Sequence, residues 1–220
     1  MTAQALLHNE LLPLTLAHTG KDAFYWMSDC HVQHLPVVDG SKLVGVLSEE
    51  DLFNHSLFDT LASYDFSHMP MLFVRPESHA FDVVRVMGEN RLTTIPVVDE
   101  HGDYLGLVAQ VDVLRFLADS ASFGEPGGIV TIEVAPRDYA ISTIARIVED
   151  EDAKVLCVFV HTNPQAESLD ITLKINRTDL SRVVASLARH EFHIKQTYGY
   201  DLAEEGYKER FDSLMHYLNM

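Results

Sequence analysis

Asp51 and Asp112 each stand six residues after a glycine, in the segments Gly45-Val46-Leu47-Ser48-Glu49-Glu50-Asp51 and Gly106-Leu107-Val108-Ala109-Gln110-Val111-Asp112. An ionised carboxylate only accepts hydrogen bonds and can take two hydroxyl protons at once, through charge-assisted bonds about twice as strong as neutral ones. Each aspartate falls where an apolar strand gives way to a helix start, which offers free N–H groups and the positive end of a dipole to a phosphate. Ser48 adds a hydroxyl that serves either a phosphate or the N-cap of the helix opened by Ser48-Glu49-Glu50-Asp51, with Asp51 at the capping-box position. Ala109 holds the matching place without a hydroxyl. The two sites therefore differ, and the one at Ser48 is the better suited to a phosphorylated ligand. The same two carboxylates would also suffice to stabilise helix starts and do nothing more.

The elements that must position these residues occur twice. Leu35-Pro36-Val37-Val38-Asp39 returns as Ile95-Pro96-Val97-Val98-Asp99, 60 residues on, and Asp22 and Met27 align with Asp82 and Met87. From Gly45 to Gly106 the shift is 61, the extra residue falling in the turn Glu100-His101-Gly102-Asp103 against Gly40-Ser41-Lys42. Turns accept insertions and strands do not, so this is a true repeat. Each copy reads strand, helix, strand, strand, helix, with repeats at about 13–54 and 71–117 inside a first domain of residues 1–118. In the first copy the helix begins near Asp22 (Ala23, Phe24, Trp26, Met27), and a hairpin joins Leu35–Val38 to Leu43–Leu47. In the second, Ser78 precedes a helix over Ala80–Glu89, and Ile95–Val98 pairs with Tyr104–Ala109 before a helix over Val111–Leu117. Residues 1–12 read as a short helix or an extended lead-in.

Residues 119–128, rich in Ser, Ala, Gly and Pro, form a linker by composition. Beyond it, strands at 129–134, 155–160, 169–175 and 192–198 and helices at 139–148 and 180–187 give β-α-β-β-α-β over residues 129–200, the ferredoxin-like plan. Residues 201–220 carry Leu202, Phe211, Leu214, Met215 and Leu218 at helical spacing. The fold class is α/β (α+β), two repeats followed by a ferredoxin-like domain.

The 220 residues are 47% hydrophobic and 22% charged, the balance of a globular protein. No apolar run reaches the roughly 20 residues of a membrane span, and the N-terminus lacks a secretory signal pattern. Cys30 and Cys157 give no disulfide framework and fit a reducing cytoplasm. With 33 acids against 16 bases and a net charge of -17, nucleic acid is not the expected partner, nor is an anionic membrane. Cys30, His31 and His34 cluster, yet a zinc site needs a second ligand pair that the sequence does not supply, so no metal is expected. No nucleophile elbow, Walker loop, zincin motif or dinucleotide fingerprint occurs, so no enzyme is expected.

The duplicated segments resemble a tandem pair of CBS domains, regulatory modules named after cystathionine β-synthase. The marks are the apolar-Pro-Val-Val-Asp strand and the Gly-x-x-[Ser/Thr]-x-x-[Asp/Asn] segment, complete in the first copy and missing its hydroxyl in the second. The resemblance implies that Asp51 and Asp112 accept from the ribose hydroxyls of an adenine nucleotide. It places the base in an apolar slot near Thr15, Leu16, His34 and Leu35, with Val74, Thr94 and Ile95 in the other pocket. Arg75, Arg91 and Arg115 are the bases that could meet a phosphate. Their scarcity favours a ligand of modest negative charge over a triphosphate without Mg²⁺; AMP, ADP, ATP and S-adenosylmethionine are the ligands to consider.

Residues 129–200 resemble an ACT domain, a module that often senses amino acids, although Ala135-Pro136-Arg137-Asp138-Tyr139-Ala140-Ile141 has no glycine where that family's turn carries one. The whole arrangement is similar to bacterial acetoin-utilisation regulators. It implies a homodimer and a ligand-sensing protein that signals to a protein partner; the other reading is a ligand-free dimerisation scaffold with vacant CBS and ACT pockets.

Overall fold

Short apolar strands buried over consecutive residues, and helices with one apolar face, build both repeats the same way. The computed structural model describes residues 1–199 except 9, 121 and 164, and separates two units, Met1–Leu117 and a second beginning at Ala118. The expected C-terminal helix over 201–220 lies outside the described residues.

In the first unit, β1 (Leu14–Thr15) runs parallel to β2 (His34–Asp39), which forms a hairpin with β3 (Lys42–Ser48). Helix α1 (Gly20–Asp29) opens on a capping box made by Thr19 and Asp22 and buries Gly20, Ala23 and Met27. Helix α2 (Glu49–Phe53) is five residues long. The second repeat supplies α3 (Ala80–Asn90), the hairpin β4 (Thr94–Val98) with β5 (Tyr104–Ala109), and α4 (Gln110–Ser120). Its leading strand shrinks to a single parallel bridge, Val74 to Val97. The N-cap of α3 is His79, whose Nδ1 accepts from the Phe81 N–H, while Ser78 Oγ accepts from the Arg75 N–H. Helix α4 runs two residues past Ala118, into the stretch expected to be linker.

Each repeat is completed by the segment that precedes the other. The first residues bond to the second repeat, Ala3 N–H to Ser78 O and Gln4 N–H to Pro76 O, and Ala3 and Leu6 enter its core with Val83, Ile95 and Val108. The segment joining the repeats bonds back to the first, Leu61 N–H to His18 O and Ala62 N–H to Leu16 O, and Leu61 and Tyr64 enter the core of Leu14, Leu35, Leu47 and Leu52. Apolar faces that two short sheets leave open are thus closed by chain from elsewhere.

The second unit contains β6 (Gly128–Val134), α5 (Ile141–Glu149), β7 (Val155–Asn163), β8 (Ser168–Ile175), α6 (Ser181–Arg189) and β9 (His193–Tyr198). All pairings in its sheet are antiparallel and the order is β7-β8-β6-β9, the ferredoxin-like topology. Ile144, Ile147, Val183 and Leu187 of the two helices pack on Val130, Ile132, Ile171 and Leu173. Pro136–Asp138 forms a 3-10 turn, so α5 starts later than its apolar pattern predicts.

Candidate functional site

Two clefts open in the first unit; Asp51 lines one, and His8, the partner of Asp112, lines the other, although Asp112 itself does not. The first, of about 420 Å³, is lined by His34, Ser48 and Asp51 of the first repeat, by His55, Asp65 and His68 of the joining segment, and by Asn90 and Leu92 at the end of α3. Three stretches of chain therefore meet around one carboxylate. The capping box that local sequence predicts is present: Asp51 Oδ2 accepts from the Ser48 N–H at 2.8 Å and its hydroxyl at 2.6 Å, and Ser48 Oγ accepts from the Asp51 N–H at 3.1 Å. A serine has one hydroxyl proton, and Ser48 donates it to Asp51. Among the described residues Asp51 Oδ1 has no hydrogen-bond partner. The helix start expected to offer N–H groups to a phosphate is that of α2. That helix is barely more than a turn, carries Glu49, Glu50 and Asp51 in its first turn, and bonds its Glu49 N–H to Gln33 O.

His34 joins the repeats. Its Nδ1 accepts from the Thr93 N–H at 3.3 Å, its own N–H donates to Thr93 Oγ1 at 3.1 Å, and its carbonyl accepts from Thr94 Oγ1 at 2.7 Å. A backbone N–H only donates, so His34 carries its proton on Nε2. Burial holds its pKa below the usual histidine value, partly offset by the Asp51 charge. His55 donates from Nδ1 to the Asp51 carbonyl at 2.9 Å and stacks on Tyr64, ring centroids 4.1 Å apart.

The second cleft, of about 840 Å³, is lined by His8, Glu10 and Leu11, by Asp29, Cys30 and His31 at the end of α1, and by Ala109, Val111 and Leu114 of the second repeat. Here Asp112 is occupied: Oδ2 accepts from His8 Nδ1 at 2.8 Å and from the Ala109 N–H at 3.1 Å, and Oδ1 lies 3.5 Å from the Arg115 guanidinium. His31 and Arg91, equivalent by the 60-residue shift, both take left-handed backbone, with φ of 55° and 54°.

Of the residues expected at the sites, Ser48, Asp51 and His34 come together in the first cleft. Leu35, Val74 and Ile95 are core residues, Leu35 also bordering a depression of about 210 Å³ beside the second cleft. Thr94 is buried and spends its hydroxyl on His34 O, and Thr15 and Leu16 line neither cleft, the Thr15 N–H donating to His18 Nδ1. Arg75 stacks over the Phe73 ring, donates to the carbonyls of Val98 and Asp99, and lines neither cleft. Sequence reasoning missed His55, Asp65 and His68, which fall between the repeats where no register applied. Their only signal was the density of His and Asp in that segment. His8 meets a partner 104 positions away, which no local pattern reveals.

Cys30 and Cys157 are free thiols, no described helix is long and apolar enough to cross a membrane, and among the described residues no cluster of His, Cys, Asp and Glu could hold a metal ion.

Comparison with known proteins agrees with the repeat. The family model described as "CBS domain" matches residues 27–57 and 63–119. An uncharacterized protein of Methanocaldococcus jannaschii is 26% identical over 98 residues, which cover 44% of this chain and 37% of that protein. This chain thus spans little more than a third of that relative. Among solved structures, a CBS domain pair/ACT domain protein from Thermotoga maritima shares 21% identity at a TM-score of 0.47, covering 54% of this chain and 98% of the other. CBSX2 in complex with AMP shares 23% identity at a TM-score of 0.44, covering 54% and 96%. With two family matches falling on the two copies of one repeated fold, the first unit of this chain is a CBS-domain pair.

Proposed function

We propose that this protein is a non-enzymatic sensor whose first cleft binds an adenosine-type nucleotide at Asp51. The observation that carries the reading is the difference between the two carboxylates. Asp51 lines a cleft of ligand size and its Oδ1 has no partner among the described residues, whereas both oxygens of Asp112 are engaged by His8, Ala109 and Arg115. Hydroxyls of a ribose supply the donors an open carboxylate lacks. A ligand there touches the first repeat, the joining segment and the end of α3 together, so its affinity differs between arrangements of the repeats and binding shifts their balance. The signal passes through a homodimer to a protein partner. In the second unit β7 and β9 are the outer strands of the sheet, and edge pairing between copies would cover such an edge. Light scattering at micromolar concentration is expected to give a dimer.

Thermal unfolding against AMP, ADP, ATP, S-adenosylmethionine and a panel of amino acids tests the reading. A ligand at 100 times its Kd adds about 2.7 kcal/mol, a shift of several degrees. A nucleotide shift present in the native chain and lost in Asp51→Ala supports it. No shift from any nucleotide refutes it and favours a ligand-free scaffold, and a shift with amino acids alone moves sensing to the ferredoxin-like unit.

A further inference from the structure

The first cleft has to hold an anion without a lysine or arginine in its lining. Its charged groups at neutral pH are the Asp51 and Asp65 carboxylates, and the surrounding chain is strongly acidic. Asp65 is kept ionised by the Ser67 hydroxyl and N–H, which hold its pKa below the ordinary carboxylate value, with the charges of His68 and His55 adding to the effect. Against these two negative charges stand three imidazoles. His34 is committed as a neutral Nε2–H donor by its bond from the Thr93 N–H. The other two are placed to accept a proton. His55 keeps Nδ1–H on the Asp51 carbonyl and its ring flat on buried Tyr64, whose hydroxyl is fixed on Ser56 O at 3.1 Å, so its Nε2 is left to gain a proton in a fixed orientation. His68 Nε2 lies 3.6 Å from Asp65 Oδ2.

We propose that His55 and His68 are the anion-recognition element of the first cleft, engaging a phosphate monoester in their protonated forms, so that affinity for a nucleoside monophosphate rises as pH falls from 8 to 6. This rests on the first cleft being the ligand site. With both imidazoles neutral, the two carboxylates repel a phosphate. With both protonated, the cleft is balanced and offers charge-assisted N–H donors, the stronger kind. Histidine is the side chain that makes this change within the physiological range.

The test follows the histidine ring resonances of the full chain by NMR while titrating adenosine, AMP and inorganic sulfate, whose charge is constant from pH 6 to 8. Affinities at both pH values are measured in the native chain and in His55→Gln/His68→Gln. The expected result is AMP binding about tenfold tighter at pH 6, adenosine binding independent of pH, sulfate raising the titration midpoints of the two rings, and loss of the AMP pH dependence in the double variant. AMP binding that needs Asp51 but leaves both rings unmoved overturns this inference and leaves the nucleotide site standing. Sulfate moving the rings while neither AMP nor adenosine binds supports the anion element and overturns the nucleotide reading. No response to any of the three overturns both.

Discussion

Replacing Asp51 separates its role in folding from its role toward a ligand. Oδ2 holds the strand-to-helix turn by accepting from the Ser48 N–H and hydroxyl, at 2.8 and 2.6 Å, while Oδ1 has no partner among the described residues and Asp51 lines the cleft. In Asp51→Ala the half-buried Ser48 N–H loses its acceptor and the helix start loses its negative charge. Loss of a cap costs about 1 kcal/mol, within a range of roughly 0.5–2, and an N-terminal charge on a helix contributes about 0.3–1. The ligand-free protein should therefore lose about 1–2 kcal/mol. Trp26 is the single tryptophan of the chain and packs against the same cluster as Leu52 of α2, so its fluorescence during urea unfolding reads this unit alone. At a urea dependence of about 2 kcal/mol per molar, the midpoint should fall by about 0.5–1 M with an unchanged slope. Asp51→Asn keeps an acceptor oxygen and should lose about half as much. An unchanged midpoint in Asp51→Ala would refute the structural role of Oδ2.

Other substitutions probe the frame and the cleft. Leu61→Ala, in the segment between the repeats, should cost about 2–5 kcal/mol by the same fluorescence assay, because Leu61 is fully buried in the first repeat's core; a surface-like loss below 0.5 would contradict the exchange of segments. Gly127→Ala would drive a Cβ into the Ile175 carbonyl oxygen and should destabilise the second unit by about 1–3 kcal/mol or more, read as a lower melting temperature by circular dichroism. Burial lowers the folded-state pKa of His34, so the unfolded chain binds its proton first; the stability this confers is complete above about pH 6.5 and is lost as pH falls through the folded value. His34→Asn keeps an acceptor for the Thr93 N–H and removes the titration, so its stability should fall less between pH 7 and 5 than the native chain's; an identical slope would refute this.

The sequence by itself determined what depends on short-range patterns. The 60-residue repeat, the hairpins at Leu35–Leu47 and Ile95–Ala109, the capping box at Ser48 and Asp51, and the β-α-β-β-α-β order of the second unit all express periodicity and capping within a few residues. Tertiary structure decided what depends on distant chain meeting. It alone closed each repeat with the segment preceding the other, brought His8 onto Asp112, and brought His55, Asp65 and His68 around Asp51. It also buried Leu35, Val74 and Ile95, because an apolar residue beside a motif satisfies a core and a ligand slot equally well in one dimension. A cleft is formed by whichever segments cover the faces that local elements leave open, and that choice is settled by packing across the whole unit.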